Sequence, residues 1–239
     1  MIETAMVMAA GHGTRMRPLT DDRSKAMVEV GGRTLIDHML DRLEAAGVKR
    51  AVVNLHAHAD HLQSHLEARA AGPEIILSCE RDGLLETGGG VVKALPLLGE
   101  DPVLVCNIDA VWTEFTPVID ALWQAWDPDE MDDLLLLAPK PRQLGYDGTG
   151  DFDMDRDGRL SWKSGDKASW VYAGVEIFTP ARAAGYPPEK FSRTKIWQKS
   201  IERGRVFGLP IPGYWMHVGD PAARNAAEAI LNGTVDVPV

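Results

Sequence analysis

AMVMAAGHGTRMRPLTDDRSK, residues 5–25, is the stretch of sequence that decides the fold. Its apolar start is typical of a buried strand of a parallel sheet, and the strand runs directly into alanines and glycines. Small residues there let backbone N–H groups approach an anion, and ligands of open α/β sheets sit beyond the carboxyl ends of strands. Four cations follow within eleven residues: Arg15, Arg17, Arg23 and Lys25. The stretch therefore predicts a strand and an anion-binding loop, with a polyphosphate as the simplest ligand.

Outside this stretch, short apolar runs alternate with helical patterns through the first half of the chain. The runs are continuous rather than alternating, which is typical of a parallel sheet covered on both faces. The second half is richer in short strands, with a hairpin predicted around a turn at 156–158. We therefore predict one α/β domain, a Rossmann-like arrangement of three layers with a mainly parallel central sheet and a smaller β-rich part.

Composition limits the classes of function. The chain has 239 residues, 45% of them hydrophobic, and a formal net charge of −10. An acidic chain argues against broad binding to nucleic acid, which needs an extended basic surface. The N-terminus lacks the features of a signal peptide and no apolar run is long enough to span a membrane, so we expect a cytoplasmic protein with no membrane partner. Cys79 and Cys106 lie in apolar runs and are predicted to be buried and reduced.

The stretch NLHAHADHL raises the possibility of a zinc site. His56, His58, Asp60 and His61 have the spacing of the first metal ligands in metallo-β-lactamase-type hydrolases. Such a site needs further ligands well separated along the chain, and one distant histidine cannot complete it. We therefore interpret the stretch as a strand-to-helix loop in which Asp60 caps the helix.

Two common phosphate motifs can be excluded at the first loop. The dinucleotide fingerprint G-x-G-x-x-G fails because Met16 occupies the third glycine position. No acidic residue ends the second strand, where Asn54 stands instead. The pattern G-x-x-x-x-G-K-[ST] is also missing from the loop.

AAGHGTRMRPLT, residues 9–20, resembles the signature of the sugar-1-phosphate nucleotidyltransferases, A-A-G-x-G-T-R-[ML]-x-P-L-T with a lysine several residues on. Further stretches resemble the same family in the same order: LLETGGGVVKALPLLG (84–99), VLVCNIDAVW (103–112), GDF (150–152), YAGVEIFTP (172–180) and YWMHVGDPAARNAAE (214–228). The resemblance covers nearly the whole chain. It implies a GT-A type domain over 1–239, with a nucleotide-binding half at 1–140 and a sugar-phosphate-binding half at 141–239.

The resemblance also implies the reaction. A sugar-1-phosphate oxygen attacks the α-phosphorus of a nucleoside triphosphate and pyrophosphate leaves, with Mg²⁺ as cofactor. The LETGGG form and the short length are most similar to the N-acetylmuramate-1-phosphate uridylyltransferase branch of peptidoglycan recycling, which favours UTP. Guanylyl transfer to mannose- or heptose-1-phosphate, or a non-catalytic sugar-nucleotide-binding protein, remain alternatives. The family's C-terminal extensions are missing, so we expect a monomer or simple homodimer.

Roles follow residue by residue from the resemblance. The expected catalytic residues are Arg15 on the β- and γ-phosphates, Lys25 on the reacting phosphates and Asp109 on the metal. The expected nucleotide-binding residues are Ala9, Ala10, Gly11, Gly13, Thr14, Arg15, Gly88 and Gly89, with the amides of the last two placed to read the base. The expected sugar-phosphate-binding residues are Gly150, Asp151, Tyr172 and Gly174.

Two departures from the family pattern leave alternatives open. His217 stands where the family usually has a second metal-binding aspartate, and imidazole is a poorer Mg²⁺ ligand than carboxylate. Either His217 joins Asp109 at the metal, which would then be a softer ion, or a water mediates, or Asp220 or another carboxylate takes that place. The family lysine that contacts the sugar phosphate corresponds to Lys163 or Lys167, and the spacing does not decide between them.

Overall fold

A computed structural model describes residues 1–141 and 143–237 of the chain. Its strands are β1 (Thr4–Met8), β2 (Glu29–Val30), β3 (Arg33–Thr34), β4 (Arg50–Leu55), β5 (Glu74–Cys79), β6 (Val103–Asn107), β7 (Ala110–Glu114), β8 (Asp133–Pro139), β9 (Gln143–Leu144), β10 (Phe152–Met154), β11 (Leu160–Trp162), β12 (Trp170–Phe178), β13 (Val206–Pro210) and β14 (Gly213–His217). Its α-helices are α1 (Leu35–Ala45), α2 (Ala59–Glu67), α3 (Glu86–Leu98), α4 (Val118–Ala125), α5 (Thr194–Glu202) and α6 (Pro221–Leu231).

The main sheet has a parallel part and an antiparallel part. Strands β5, β4, β1 and β6 run parallel in that order, with Val7 of β1 opposite Val53 on one side and Cys106 on the other. The second half of the chain adds β12 antiparallel to β6, then β8 and β13 beyond it and the β10–β11 hairpin. The predicted α/β class and mainly parallel central sheet are therefore confirmed.

Alternate residues of the parallel strands face two different helical layers. Ala5 and Val7 belong to the core that includes residues of α1 and α2, whereas Met6 belongs to the core that includes residues of α3 and α5. Since successive side chains of a strand point to opposite faces, a strand buried on both sides must be apolar throughout. This packing accounts for the continuous apolar runs.

Helix starts agree with the sequence in two cases and disagree in one. Thr34 caps α1 by accepting from the Asp37 amide, and Asp220 caps α6 by accepting from the Ala223 amide. The prediction that Asp60 caps α2 is wrong. Asp60 lies inside the first turn and pairs with Arg81, because the chain enters α2 through a left-handed residue instead of a side-chain cap.

Other differences concern short strands and one cysteine. The strands β2, β3, β7 and β9 were not predicted, and β7, β14 and β9 form a small separate sheet. Cys106 is buried as predicted, but Cys79 is exposed because β5 is the edge strand of the sheet. Over the described residues, no helix is long and apolar enough to cross a membrane.

Candidate active site

A cavity of about 460 Å³ opens at the carboxyl ends of β1 and β6. Parallel strands all end at this edge, so loops that are distant in sequence converge there. The predicted residues among those that line it are Ala9, Ala10, Gly11, Gly13, Thr14, Arg15, Lys25 and Asp109. The structure therefore brings the whole first loop together with the metal-binding candidate. We call this space the first cavity.

Glycine at position 13 permits the tight shape of the first loop. Gly13 has φ +62°, in the left-handed region that favours glycine, and a Cβ there would lie 2.9 Å from the Cβ of Lys25. The Thr20 hydroxyl donates to the Gly13 carbonyl at 2.9 Å, and the side chain of Met16 is fully buried below the turn. The loop thus folds back so that Lys25 reaches the cavity.

Arg15 is placed to meet an anion. It lines the first cavity with an exposed side chain, and within residues 1–141 and 143–237 no carboxylate pairs with it. A guanidinium presents planar pairs of donors that match phosphate oxygens. The position agrees with the role predicted for this residue.

Asp109 lies at the centre of a three-residue charge cluster between β6 and β7. Its Oδ2 accepts from Lys25 Nζ at 2.8 Å and lies 3.3 Å from His217 Nε2. The Lys25 side chain is 11% exposed and that of Asp109 is 23% exposed, so water screens this pair only partly. Lys25 and His217, which are 84 and 108 positions away from Asp109 in the sequence, thus meet at one of its carboxylate oxygens.

The charges shift the pKa values of this cluster. Burial by itself raises the pKa of Asp109, but Lys25 and His217 outweigh it and hold that pKa well below its usual range. Burial lowers the pKa of His217, but its hydrogen bond and charge interaction with Asp109 outweigh burial and raise it overall. Asp109 is therefore an anion wherever the protein is folded near neutral pH.

The donor set fits one divalent cation. The Gly145 carbonyl lies 3.1 Å from His217 Nδ1 and can only accept, so Nδ1 carries a proton, and Nε2, which contacts Asp109, would bind a metal once it lost its own proton. Asp109 supplies a hard oxygen of the kind Mg²⁺ prefers, and His217 supplies a softer nitrogen. Mg²⁺ commonly takes one or two protein ligands and completes its shell with water and phosphate, so two groups are sufficient.

A second cavity, of about 230 Å³, adjoins the first and shares Asn107 and Asp109 with it. The predicted residues among its lining are Asp109, Asp151, Tyr172, Gly174 and His217. Aromatic side chains form most of its remaining wall: Tyr146, Phe152, Trp162, Trp197 and Trp215. Asp109 therefore lies where the two cavities meet.

Asp151 is fixed from two sides in the second cavity. Its Oδ2 accepts from the Tyr172 amide at 2.9 Å, and its Oδ1 lies 3.4 Å from the Tyr146 hydroxyl. Gly150 does not line the cavity. It has φ +86°, and a Cβ there would lie 2.4 Å from the Ala168 carbonyl oxygen, so it shapes the turn that presents Asp151.

Gly174 allows β12 to pass close to the metal-binding candidate. The register of β12 against β8 shifts between Tyr172 and Glu176, and Gly174 sits within this irregularity with φ +84°. A Cβ on Gly174 would lie 2.8 Å from the Cβ of Ala110. Such bulges re-aim side chains next to active sites, and this one turns Tyr172 into the second cavity.

Gly88 and Gly89 do not have the predicted environment. Both amides donate to the Phe191 carbonyl, at 2.8 and 3.3 Å, and neither residue lines the first cavity. A Cβ on Gly89 would lie 1.9 Å from the Glu189 carbonyl oxygen. The prediction that these amides read the base is therefore wrong, because they hold α3 against the chain at 189–191. Thr87 lines the cavity instead.

The histidine-rich stretch does not form a zinc site. In the part of the chain that the structure describes, no three His, Cys, Asp or Glu side chains are grouped to hold a metal. His56 Nδ1 contacts the Glu80 carbonyl at 2.8 Å, and His65 is half-buried against Asp37. These histidines serve packing and local hydrogen bonds.

Lys163 is hydrogen-bonded beside the second cavity. The Lys163 ammonium donates to the Thr149 hydroxyl and its amide donates to the Asp151 carbonyl, beside the wall of the cavity. Neither lysine lines the cavity directly. The geometry thus favours Lys163 for the contact that the spacing left undecided.

The sequence matches the Nucleotidyl transferase family over residues 4–142. An N-acetylmuramate alpha-1-phosphate uridylyltransferase of Caulobacter vibrioides is 52% identical over 232 residues, 95% of this chain and 96% of that protein. A protein of the same name from Neisseria meningitidis serogroup B is 31% identical, over 95% of this chain and 97% of its own length. The crystal structure of UDP-glucose pyrophosphorylase complexed with UDP-glucose has the same fold, with TM-score 0.80 at 14% identity, 98% of this chain and 100% of that one being covered. A match across more than half of the chain, and a relative this similar over nearly all of it, show that the chain belongs to the nucleotidyl transferase family.

Proposed function

We propose that the protein transfers the uridylyl group of UTP to N-acetylmuramate 1-phosphate, releasing pyrophosphate, with Mg²⁺ as cofactor. One observation carries the proposal: a cavity lined by a backbone loop with Arg15 and Lys25 adjoins an aromatic cavity, and Asp109 lies in the wall of both. Two anionic substrates that react with each other need adjacent sites and a cation between them. The family assignment supplies nucleotidyl transfer, and the names of the two relatives supply uridine and N-acetylmuramate.

On the nucleotide side, the loop of residues 9–15 receives the triphosphate. Residues 9–15 all line the cavity, so backbone N–H groups of this loop would bind phosphate oxygens, and Arg15 supplies the charge for the β- and γ-phosphates. Charge builds on the departing pyrophosphate during the reaction, so a fixed guanidinium at that end stabilises the transition state more than the bound substrate.

Lys25 and Asp109 have complementary roles at the α-phosphate. In the absence of substrate they neutralise one another, with 2.8 Å between Lys25 Nζ and Asp109 Oδ2. Asp109, with His217, would hold the magnesium ion, which supplies Lewis-acid polarisation of the α-phosphate when bound. Lys25 then has its three donors available for the reacting phosphate oxygens. The carboxylate and the ammonium are thus kept charged and in place before the substrates arrive.

On the acceptor side, the aromatic cavity holds the sugar. Flat side chains such as Trp215 and Tyr172 pack against apolar faces of a ring, and Asp151 can accept from a sugar hydroxyl. Lys163 is the cation that we assign to the sugar phosphate. The acceptor oxygen would then enter the junction at Asp109, opposite the pyrophosphate.

The test is pyrophosphate release with UTP, GTP, CTP and ATP, each against N-acetylmuramate 1-phosphate, mannose 1-phosphate and heptose 1-phosphate, with and without Mg²⁺. We expect turnover to be highest with UTP and N-acetylmuramate 1-phosphate and to require a divalent cation. Preference for GTP with a mannose or heptose phosphate would replace this proposal with guanylyl transfer. Tight binding of a nucleotide-sugar without turnover of any pair would indicate a non-catalytic binding protein.

Replacing each lysine separately tests the acceptor assignment. Lys163→Ala should raise the KM of the sugar phosphate by about tenfold, as expected for loss of one charged hydrogen bond. Lys167→Ala is the matched control, since it removes the other candidate lysine four residues later in the chain, and it should leave that KM unchanged. The reverse pattern would reassign the role to Lys167.

A further inference from the structure

We propose that Asn54 and Glu80 are positioning residues that set the separation of the two loops around the nucleotide. The inference rests on the proposed nucleotide role of the first cavity. The first loop is residues 9–15 and the second loop is residues 80–87, and residues of both line that cavity. We call the pair Asn54–Glu80 the loop brace.

Asn54 holds the first loop. Its Oδ1 accepts from the Ala9 amide at 2.6 Å and from the Ala10 amide at 3.2 Å. These are the two residues at which the chain leaves β1, beyond the last paired residue of the sheet ladder. A side chain from the end of β4 therefore takes over where backbone pairing stops, and it fixes the path of the loop into the cavity.

Glu80 holds the second loop. Its Oε1 accepts from Asn54 Nδ2 at 2.7 Å and its Oε2 accepts from the Leu85 amide at 3.0 Å. Leu85 immediately precedes α3, so the carboxylate also lies at a helix N-terminus, where negative charge is stabilised. One unbroken chain of hydrogen bonds thus runs from Ala9 through Asn54 and Glu80 to Leu85.

Both side chains of the brace are only 1% exposed. Asn54 borders the first cavity, but its polar atoms are bonded to the first loop and to Glu80, so the pair acts on a ligand through the loops. Buried polar networks in which every group has a partner are rigid, and a partly satisfied one is costly. Both oxygens of Glu80 and both polar atoms of Asn54 have partners.

Gly90 makes room for the brace. It lies inside α3, where glycine is normally unfavourable. A Cβ at this position would lie 2.8 Å from Glu80 Oε1 and 3.0 Å from Asn54 Nδ2. A methyl group there would displace the hydrogen bond between Asn54 and Glu80. This explains why the third position of the GGG run in LETGGG is a glycine.

The amide of Asn54 donates and the carboxylate of Glu80 accepts, so exchanging the two groups tests the brace. Asn54→Asp would put two carboxylates against each other, and Glu80→Gln would leave one acceptor oxygen for two N–H donors. The double variant Asn54→Asp/Glu80→Gln exchanges the carboxylate and the amide. In it the oxygen at 54 still accepts from Ala9 and Ala10, the amide at 80 donates to 54, and its oxygen accepts from Leu85.

The experiment measures KM for both substrates, kcat, and the UTP dissociation constant by calorimetry. Each single variant should raise the KM and Kd of UTP by about tenfold while the sugar-phosphate KM stays within about twofold. The double variant should return both UTP constants to within about threefold of wild type. Asp132→Asn is the control, a buried carboxylate at the opposite edge of the sheet that pairs with Arg203 and Arg205, and it should lower thermal stability without changing either KM.

A gentler variant covers the case in which a single variant does not fold. Gly90→Ala should raise the KM of UTP selectively, and Gly165→Ala, whose Cβ would meet open space, should not. Unchanged UTP constants in the single variants, or a double variant as impaired as the worse single, would overturn the brace. If wild type shows no turnover, the proposed function fails by itself while the UTP dissociation constants still decide the brace. Absence of UTP binding to wild type would overturn both.

Discussion

The first and second cavities adjoin at Asp109 but are built in different ways. The longest continuous part of the first cavity's wall is one stretch, residues 8–15, in which small residues expose the backbone. The second takes single aromatic side chains from separate elements, such as Trp162 of β11, Trp197 of α5 and Trp215 of β14. A phosphate chain is the same in every nucleotide, so a backbone loop can bind it, whereas a sugar ring needs a shaped surface. Under the proposed function, the first cavity would set the reaction and the second would set the acceptor.

Their polar groups differ as well. Two cationic side chains, Arg15 and Lys25, line the first cavity. In the second, Tyr172 Oη and Trp215 Nε1 are buried and have no hydrogen-bond partner among the residues described. Buried donors are costly to leave unpaired, so these two groups are the best candidates to donate to the acceptor sugar.

Asp109→Asn should have the largest effect, because it acts on both cavities at once. The amide keeps the shape of the carboxylate but loses the charge that holds Lys25 and the metal, so kcat should fall by about 10³-fold or more. Pyrophosphate release at saturating substrates measures this. A loss of less than about tenfold would mean that the reaction does not take place at the junction.

Arg15→Ala should affect the nucleotide side alone. We expect kcat/KM for UTP to fall by about 10²-fold, while the KM of the sugar phosphate changes by less than about threefold. Arg17→Ala is the matched control, because Arg17 is an exposed arginine of the same loop that pairs with Asp21 and does not line the cavity. Equal effects of the two substitutions would show that the loop attracts phosphate only by its overall charge.

Trp215→Phe should affect the acceptor side alone. It keeps a ring in the wall but removes the unpaired indole N–H, so the KM of N-acetylmuramate 1-phosphate should rise by about tenfold with the KM of UTP unchanged. Trp123, which is 40% exposed and distant from both cavities, gives the control Trp123→Phe. A rise in the KM of UTP in Trp215→Phe would contradict the division between the cavities.

Glu176 lies in the wall behind the second cavity and should make stability depend on pH. Burial raises its pKa from 4.5 to about 8, although Arg193 opposes the change. The folded protein therefore keeps a proton that the unfolded chain releases above its ordinary pKa, so stability should decline as pH rises from about 5 to 8.

Replacing this group should flatten the decline. Glu176→Gln cannot titrate, and between pH 5 and 8 it should lose about 1–2 kcal/mol less stability than wild type in urea unfolding. Parallel pH profiles for the two proteins would show that Glu176 does not hold the proton. Because Glu176 lies behind the second cavity, Glu176→Gln should change stability but leave the KM of UTP unaltered.

The sequence predicted best what is local. The first loop could be placed because its strand, its glycines and its cations are contiguous, and the family assignment it suggested is confirmed. The roles of Arg15, Lys25 and Asp109, the magnesium ion, the boundary near 140, the oligomeric state and the cytoplasmic location stay predictions.

What depends on distant contacts was missed. Asn54 entered the sequence argument only as the missing acidic residue of a dinucleotide fold, yet it is hydrogen-bonded to both Ala9 and Glu80. Gly88 and Gly89 were assigned to the base, but their partner is the chain at 189–191, about a hundred residues later. The aromatic wall of the second cavity has no motif, because its members are brought together only by the order of the strands.

The most direct test of two cavities joined at Asp109 is a crystal structure with UDP-N-acetylmuramate and Mg²⁺. The uridine should lie between the first and second loops, the sugar against Trp215 and Tyr172, and the metal about 2.0–2.1 Å from an oxygen of Asp109 and an oxygen of the product phosphates. A product bound elsewhere, or a metal away from Asp109, would contradict the account.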